Sequence, residues 1–177
     1  VEEKPSDQLE LSGGYGANQL VGTLGLSFNN FSARNFFKKG AWRPLPSGDG
    51  QRLSLRAQTN GKYYQSYNAS FTEPWLGGKK PNSFSASVYR SIQSNGLSKS
   101  DAARQSIVIN GISLGLGKRL KYPDDFFTIY HEISYQYYTL QNYGSTFLFS
   151  DGIANNLSFQ ETISRNSVDA PIYPRSG

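Results

Sequence analysis

Apolar and polar residues alternate with a period of two along most of the chain, in eight runs separated by turn-like segments. Such alternation predicts strands that have one apolar face and one polar face. The apolar members of the runs, in chain order, are Leu9, Leu11, Gly13 and Tyr15; Gly22, Leu24, Leu26 and Phe28; Leu53, Leu55 and Ala57; Tyr67, Ala69 and Phe71; Phe84, Ala86 and Val88; Ile112, Leu114 and Leu116; Phe127, Ile129, Ile133 and Tyr135; and Leu157, Phe159 and Ile163. No segment between the runs has the pattern of a convincing helix. The sequence therefore predicts an all-β protein, an antiparallel up-and-down meander of about eight strands.

The polar positions of the runs indicate which kind of β-protein this is. They are small and hydrophilic, rich in Ser, Gly, Asn and Gln, with Arg52, Arg56 and Glu132 in the same phase. This composition is typical of the hydrated lumen of a transmembrane barrel, whose apolar face meets lipid. The fold class that we predict is therefore part of a transmembrane β-barrel.

Alternation alone is shared by soluble β-sandwiches and lipocalin-like barrels, which stay open as alternatives. Aromatic residues favour the membrane barrel, because they cluster at the ends of the runs like the interfacial girdles of such barrels. Those near alternate turns are Phe36, Phe37, Trp42, Trp75, Tyr122 and Phe126, and those near the other turns are Tyr63, Tyr64, Tyr137, Tyr138 and Tyr143. On this interpretation Leu55 and Leu114 face lipid. Ser54 and Ser113, which are in the opposite phase, face the lumen.

Two connections stand out by their composition. Asn60 and Gly61 predict a hairpin turn, because both residue types tolerate a positive φ. The connection between the second and third runs carries an insertion, Lys38 to Gly50. Turns on the periplasmic side of a membrane barrel are normally short, so this insertion requires an explanation of its own.

Composition excludes several classes of function. The 177 residues include no Cys and a single His, His131, which excludes disulfides, Cys-based metal sites and His-rich metal sites. The net charge of +5 comes from scattered residues, so we expect no nucleic-acid partner. The mean hydropathy is −0.54, and no stretch approaches the roughly 18 apolar residues of a membrane helix. The chain starts with polar residues and stops abruptly, so we expect a mature fragment without a signal peptide.

No catalytic constellation is visible in the sequence. His131 is in phase with Ile129 and Ile133, which places it on the apolar face. Asp124 and Asp125 follow Pro123 and are typical of a turn. We therefore predict that the chain is not an enzyme and uses no cofactor or metal, and that its function depends on a surface.

Four short segments, in the same order as in a known family, span nearly the whole chain. They are Val1 to Pro5 followed by Leu9 to Gly16; Asn30-Phe31-Ser32 with Asn35-Phe36-Phe37; Phe71-Thr72-Glu73-Pro74-Trp75-Leu76; and Arg165-Asn166-Ser167 with Asp169 and Ile172 to Gly177. Together they resemble landmarks of BamA-type outer-membrane assembly factors, from the exit of the last POTRA domain to the turn before the ninth strand.

The resemblance implies a division of the chain and a location. Residues 1–7 would be the end of the periplasmic POTRA region, and residues 8–177 the first eight strands of a sixteen-strand barrel. The protein would lie in the outer membrane of a Gram-negative bacterium. Its partners would be the lipid bilayer, client β-barrel proteins and the accessory lipoproteins of the BAM complex.

The resemblance also implies a functional strand. Family insertases are thought to offer their first strand, at a lateral gate, as a template for an incoming client strand, which is β-augmentation of an exposed edge. In this chain the gate strand would consist of Leu9, Glu10, Leu11, Ser12, Gly13, Gly14 and Tyr15. Its glycines would weaken pairing and so favour exchange of partners; alternatively, they only ease a bend near the barrel rim.

The insertion at Lys38 to Gly50 has two interpretations. Its aromatic and basic residues, Lys38, Lys39, Trp42 and Arg43, could contact the upstream domains or a partner protein on the periplasmic side. The same residues could equally form an interface-anchoring turn.

Other functions stay open beside the insertase. The chain could be half of a passive porin, or of a barrel that exports a polypeptide. A soluble binding barrel is a third possibility.

Overall fold

The computed structural model describes residues 7–16, 19–42, 45–78, 81–143 and 149–168. Eight strands form one sheet: β1 (Gln8–Gly16), β2 (Gln19–Phe31), β3 (Gln51–Asn60), β4 (Tyr64–Glu73), β5 (Ser83–Ser94), β6 (Ser106–Arg119), β7 (Phe127–Gln141) and β8 (Gly152–Arg165). Each strand pairs antiparallel with the next one in the chain, in the order β1 to β8. The predicted eight-strand meander is confirmed.

The strands are paired so that all apolar runs share one face of the sheet. Residues directly opposite one another in an antiparallel pair point to the same face. One row of such residues crosses the whole sheet: Leu9, Leu26, Leu55, Ala69, Val88, Ile112, Tyr135 and Leu157. A shift of one residue in any pair would break this row, so the hydrophobic pattern fixes the register.

The apolar face is not covered by any other layer of the described residues. Among the described residues, the buried hydrophobic side chains of the core are Phe31, Ile107 and Leu140, whereas many large ones on the strands stay exposed. An apolar surface of this extent requires a partner or a membrane. Lipid satisfies this requirement, since a strand of a membrane barrel exposes every second residue to it. Among the described residues, no helix is long and apolar enough to cross a membrane.

The polar face carries a continuous row of serines, one from each of seven adjacent strands. The row consists of Ser27, Ser54, Ser70, Ser87, Ser113, Ser134 and Ser158. Three pairs within it have hydroxyl oxygens at hydrogen-bonding distance: 3.2 Å for Ser27–Ser54, 2.8 Å for Ser87–Ser113 and 2.6 Å for Ser134–Ser158. The side chains in this row are therefore both small and hydrophilic, as a hydrated lumen requires.

Glycines on β6 make room for tyrosines of the neighbouring strands on the polar face. A Cβ added at Gly111 would lie 2.3 Å from the Tyr89 ring, and one at Gly115 would lie 2.0 Å from the Tyr130 hydroxyl. The two tyrosines then bind across the sheet, Tyr130 to the hydroxyl of Ser85 at 2.7 Å and Tyr89 to an amide. Close packing against an aromatic ring thus explains these strand glycines.

The turn between β3 and β4 differs from its prediction. Asn60 does not have a positive φ; it is the last residue of β3 and pairs with Tyr64. Gly61, with a φ of 57°, opens a three-residue connection. The Tyr63 N–H donates to the Asn60 carbonyl at 3.2 Å. Because Asn60 belongs to β3 and not to the turn, β3 is one residue longer than a two-residue Asn60-Gly61 turn would allow.

A pair of ionisable residues interrupts the apolar face near one end of β7 and β8. His131 lies opposite Glu161, with 3.0 Å between Nδ1 and Oε2, and its ring stacks on Phe159. The row on one side contains Ile133 and Phe159, and the row on the other side contains Ile129 and Ile163. Ionisable residues that face lipid are expensive, so each group depends on the other for a partner.

We expect Leu55→Lys to destabilise the barrel much more than Ser54→Lys. Leu55 lies on the apolar face, opposite Leu26 and Ala69, whereas its neighbour Ser54 lies on the polar face. A lipid-facing Lys near the bilayer midplane costs about 2–4 kcal/mol. The measurement is a urea titration of the intact protein folded in lipid vesicles. Equal shifts for the two variants would contradict the assignment of the faces.

The His131–Glu161 pair should show the cost of an unpaired carboxylate. We expect His131→Leu alone to lower the free energy of unfolding in lipid by about 1–3 kcal/mol, because it leaves Glu161 without its partner. The double variant His131→Leu/Glu161→Leu should recover most of that loss. The same titration measures both effects, and a double variant less stable than the single one would refute this explanation.

Candidate functional site

The predicted gate strand lies entirely within β1, an edge strand of the sheet. Its nine residues pair with β2 from Gln8–Ser27 to Gly16–Gln19 without a register shift. No strand of the described residues pairs with the other side of β1. β8, at the other edge of the described sheet, likewise pairs with one neighbour, whereas every strand from β2 to β7 is paired on both sides.

The side chains of β1 divide between the two faces of the sheet. Leu9, Leu11 and Tyr15 lie on the apolar face and are all more than two-thirds exposed. Glu10 and Ser12 point to the polar face with the serine row. The strand therefore presents an apolar surface to lipid and a polar surface to the lumen, as a template for a barrel strand requires.

Gly13 and Gly14 of β1 are not required by close packing within the described sheet. A Cβ at Gly13 would meet only the Val21 carbonyl oxygen, at 3.7 Å, and a Cβ at Gly14 would meet nothing within 4 Å. Neither residue has a positive φ. Their remaining effect is on propensity, since glycine in a strand weakens it by entropy and by the lack of a side chain to pack. The prediction that they favour exchange of partners stays a prediction.

An ion pair on the polar face ties β1 to β3 across β2. The Arg56 guanidinium lies 2.6 Å from Glu10 Oε2, and Gly25 lies between the two residues in the pairing. A Cβ at Gly25 would come within 3.2 Å of that carboxylate oxygen. Glycine at this position therefore leaves space for the ion pair to cross the intervening strand. We call the ion pair of Glu10 and Arg56 the β1–β3 strap.

Sequence reasoning assigned Arg56 only to the lumen and gave Glu10 only a place in the gate strand. Their contact joins residues 46 positions apart, so no local pattern predicts it. The available signal was Gly25, a position without a side chain in the polar phase of its strand. Its meaning becomes visible only when the register places it between the two charges.

The insertion predicted between the second and third runs forms a folded loop between β2 and β3, residues 32–50, which we call the rim loop. The Ser32 N–H donates to the Pro46 carbonyl at 2.9 Å, and the Gly48 N–H donates to the Asn30 carbonyl at 3.0 Å. Of the residues predicted to contact a partner, Lys38, Lys39 and Trp42 are exposed, and Arg43 lies outside the described residues. The rim loop lies at the opposite end of β2 from the β1–β2 turn.

The described residues contain no cluster of three or more His, Asp or Glu that could hold a metal ion. Asp124 takes part in a turn, as predicted: its carboxylate accepts a hydrogen bond from the Phe126 N–H at 2.9 Å and contacts Arg165 at 3.2 Å. These residues have a structural explanation, and the candidate site remains the β1 edge.

Residues 47–177 match the Omp85 superfamily domain, which is well over half of the chain. The chain belongs to the Omp85 superfamily. No curated protein matches it. The Omp85 match begins at Ser47, near the end of the rim loop, so it contains β3 to β8 and leaves β1 and β2 outside.

Membership in the Omp85 superfamily establishes a coarse function. Its members work in outer membranes with β-barrel substrates, and they include insertases as well as secretion and transport proteins. The exposed apolar face and the polar serine row agree with an Omp85 barrel that meets lipid on one side and water on the other. Which of these activities the chain serves is a separate question.

The β1–β3 strap should be measurable as a coupling energy. We expect the double-mutant cycle of Glu10→Gln and Arg56→Gln to give about 0.2–1 kcal/mol, the range of exposed ion pairs. The coupling should decrease with salt, because both side chains are more than half exposed. The measurement is the unfolding free energy of the four proteins in lipid vesicles.

Hydrogen exchange provides an independent readout of the same strap. Gly25→Val inserts a branched side chain beside Glu10, so exchange of the β1 backbone amides should become faster. Gly14→Val, whose Cβ meets nothing within 4 Å, is the matched control and should not accelerate exchange. No change in Gly25→Val relative to the control would show that the strap does not hold β1.

Proposed function

We propose that this chain is the N-terminal half of the barrel of a BamA-type insertase, with POTRA domains upstream and eight further strands downstream. It folds and inserts client β-barrel proteins into the outer membrane of a Gram-negative bacterium. The observation that carries the proposal is the make-up of β1, a strand with adjacent glycines that no close packing requires, in a sheet whose apolar face requires lipid.

The backbone groups of β1 give the first support for this role. An unpaired N–H or C=O group in the hydrocarbon region costs several kcal/mol. An edge in lipid is therefore stable only when another strand replaces the missing partner. A client strand that pairs with β1 satisfies the groups of both strands at once, and this is β-augmentation.

The side chains of β1 support the same role. Successive side chains of β1 point alternately to the lipid face and the lumen face, as those of a client barrel strand do. A client strand that pairs with β1 would therefore place its apolar side chains in lipid as soon as it pairs. Gly13 and Gly14 give β1 a low intrinsic preference for a permanent partner. The β1–β3 strap holds β1 on its β2 side and leaves its other side open.

The proposal assigns no chemical step to the chain, which acts without catalytic residues, cofactor or metal. The free energy for insertion then comes from the folding of the client, and the insertase lowers the barrier by pairing client groups before they meet lipid. Accessory lipoproteins of the assembly complex and the upstream POTRA domains would deliver the client to the gate.

A second candidate is a barrel that exports a polypeptide, since the superfamily also contains secretion and transport proteins. The serine row favours it, because small hydroxyl side chains leave space in the lumen for a passing chain. A passive porin would share that space. Both alternatives require an open lumen and do not require the β1 edge to exchange partners.

A reversible disulfide tests whether the seam must open. One Cys replaces Ser12, which points to the polar face of β1, and the other is placed opposite it on the final strand of the intact protein. The native segment contains no Cys to interfere. We expect the oxidised barrel to lose client insertion and the reduced barrel to regain it.

The sheet itself offers a matched control. Ser12 lies directly opposite Thr23, so Ser12→Cys/Thr23→Cys locks β1 to β2 and leaves the seam free. Directly opposite residues in an antiparallel pair have Cα atoms about 4.5–5.5 Å apart, which a disulfide spans. This variant should insert clients at the normal rate in both redox states. If the seam-locked barrel, fully oxidised, still inserts clients normally, the insertase mechanism is wrong, and an exporter or porin would be unaffected by the lock.

A further inference from the structure

A β-bulge turns the end of β2 toward the apolar face. The pairing of β2 with β3 shifts between Phe28 and Phe31: Phe28 lies opposite Leu53, and Phe31 lies opposite Gln51. Three steps on β2 thus match two steps on β3. Bulges of this kind redirect a side chain, and here the bulge returns Phe31 to the same face as Phe28.

From Phe31 a series of aromatic contacts leads out of the sheet into the rim loop. Phe31 packs edge-on against Phe71 of β4, with 6.2 Å between ring centroids, and against Phe36 at 6.4 Å. Phe36 in turn contacts Phe37 at 5.3 Å and Trp42 at 5.0 Å. We call these five residues the aromatic chain. It starts on the apolar face, where Phe71 opposes Leu53 and Ala86.

Exposure increases along the aromatic chain. Phe31 is 5% exposed, Phe36 is 40% exposed and Phe37 is 92% exposed. The indole N–H of Trp42 donates to the Phe36 carbonyl at 3.0 Å, so the polar group of Trp42 is satisfied inside the loop. The loop therefore presents the rings of Phe37 and Trp42 outward as an apolar tip.

The loop that presents this tip is firmly built. Ser32 and Pro46 are fully buried at its base. The Ser32 hydroxyl donates to Asp49 at 2.5 Å, and the Ala33 N–H donates to the Gln51 side-chain carbonyl at 2.7 Å. Gln51 then donates to Glu73 of β4 at 2.6 Å. These bonds attach the loop directly to β3 and, through Gln51, to β4, which favours a fixed position for its tip.

Exposed positive charges lie next to the apolar tip in the sequence. Arg34, Lys38 and Lys39 are all exposed, and none of them takes part in an ion pair within the described part of the chain. An apolar tip held in a fixed position, with unpaired lysines beside it, complements a layered surface whose interior is apolar and whose outer layer is negatively charged.

We propose that the rim loop is a membrane-interface anchor: Phe37 and Trp42 insert at the boundary of the leaflet on their side of the barrel, and Lys38 and Lys39 bind the phosphates of anionic phospholipids. Two observations select lipid over a protein partner. The aromatic chain is continuous with the lipid-facing surface through Phe31 and Phe71, and the unpaired charges complement an anionic headgroup. The proposal rests on the outer-membrane barrel and does not depend on insertase activity.

The anchor lies close to the candidate gate. The rim loop connects β2, the only described partner of β1, to β3, which holds the other end of the β1–β3 strap. An anchor there fixes the height of β2 and β3 in the bilayer. It thereby fixes the depth at which the β1 edge is presented.

The test uses the intact protein, reconstituted in vesicles of phosphatidylcholine with or without phosphatidylglycerol. Phe37→Cys, with any other cysteines replaced, is labelled with an environment-sensitive nitrobenzoxadiazole group whose ring takes the place of the phenyl ring. We expect a blue-shifted emission and protection from aqueous iodide, both stronger with phosphatidylglycerol. Lys38→Gln and Lys39→Gln should each lower the ratio of inserted to withdrawn label about fivefold in the anionic vesicles, since one lysine near such a surface contributes about 1 kcal/mol.

A label at Ser100→Cys, in the exposed β5–β6 connection at the opposite end of the strands from the rim loop, is the water-exposed control. If the Phe37 label is as accessible to iodide as the Ser100 label in both kinds of vesicle, the anchor does not exist. If protection instead requires the accessory proteins and persists in detergent without phospholipid, the loop is a protein-binding surface and the proposal is overturned. Protection in anionic vesicles that the two lysine variants do not reduce would refute the role of the charges.

Discussion

The backbone of a sheet in lipid has no water to bind, so every N–H and C=O group on a membrane strand must find its partner in another strand. This constraint organises the whole chain. It requires each of the six inner strands to pair on both sides, as they do. It makes the register absolute, because a slip of one residue would turn apolar side chains into the lumen. It also concentrates the unsatisfied groups of the described sheet at its two edge strands, β1 and β8, and the proposed function lies at β1.

The two faces of the sheet solve different problems with different residues. On the apolar face, most side chains need only be compatible with lipid; ionisable residues such as Arg90 and Lys118 also occur there, and His131 is paired with Glu161. On the polar face, side chains bind one another across the strands. Serine hydroxyls pair in the serine row, and Tyr89 and Tyr130 cover glycines of β6 and bind neighbouring strands. The strap of Glu10 and Arg56 belongs to the same system, since it uses Gly25 as β6 uses Gly111 and Gly115: a missing side chain on one strand makes room for a contact between its neighbours.

This division explains which features the sequence could predict. The assignment of residues to the two faces of the sheet could be predicted from the period of two, because Leu55 and Ser54 point to opposite faces whichever strand they pair with. The hairpin turn between β3 and β4 was predicted correctly, but the positive φ expected of Asn60 was not, because Asn60 still pairs with Tyr64 as part of β3. The direction of Phe31 could not be predicted, since it depends on a bulge defined by Gln51, twenty residues away. For the same reason the aromatic and basic residues of the insertion could be assigned to a surface but not to a face. The β1 strand itself was located correctly, while the strap that holds it required the register of three strands.

Under the proposed function, β1 would have to meet two opposing demands. It has to leave one side unpaired, and it has to stay in the sheet while that side is empty. The first demand is met in β1 by a short strand with adjacent glycines at Gly13 and Gly14. The second is met on the other side, by an unbroken ladder to β2 and by a charge that crosses β2 to Arg56. Because the strap lies on the polar face, it does not occupy the hydrogen-bonding edge, and it can persist while a client strand pairs there. Weak pairing at the edge and firm attachment behind it are therefore compatible in a single strand, since they use different groups of the same residues.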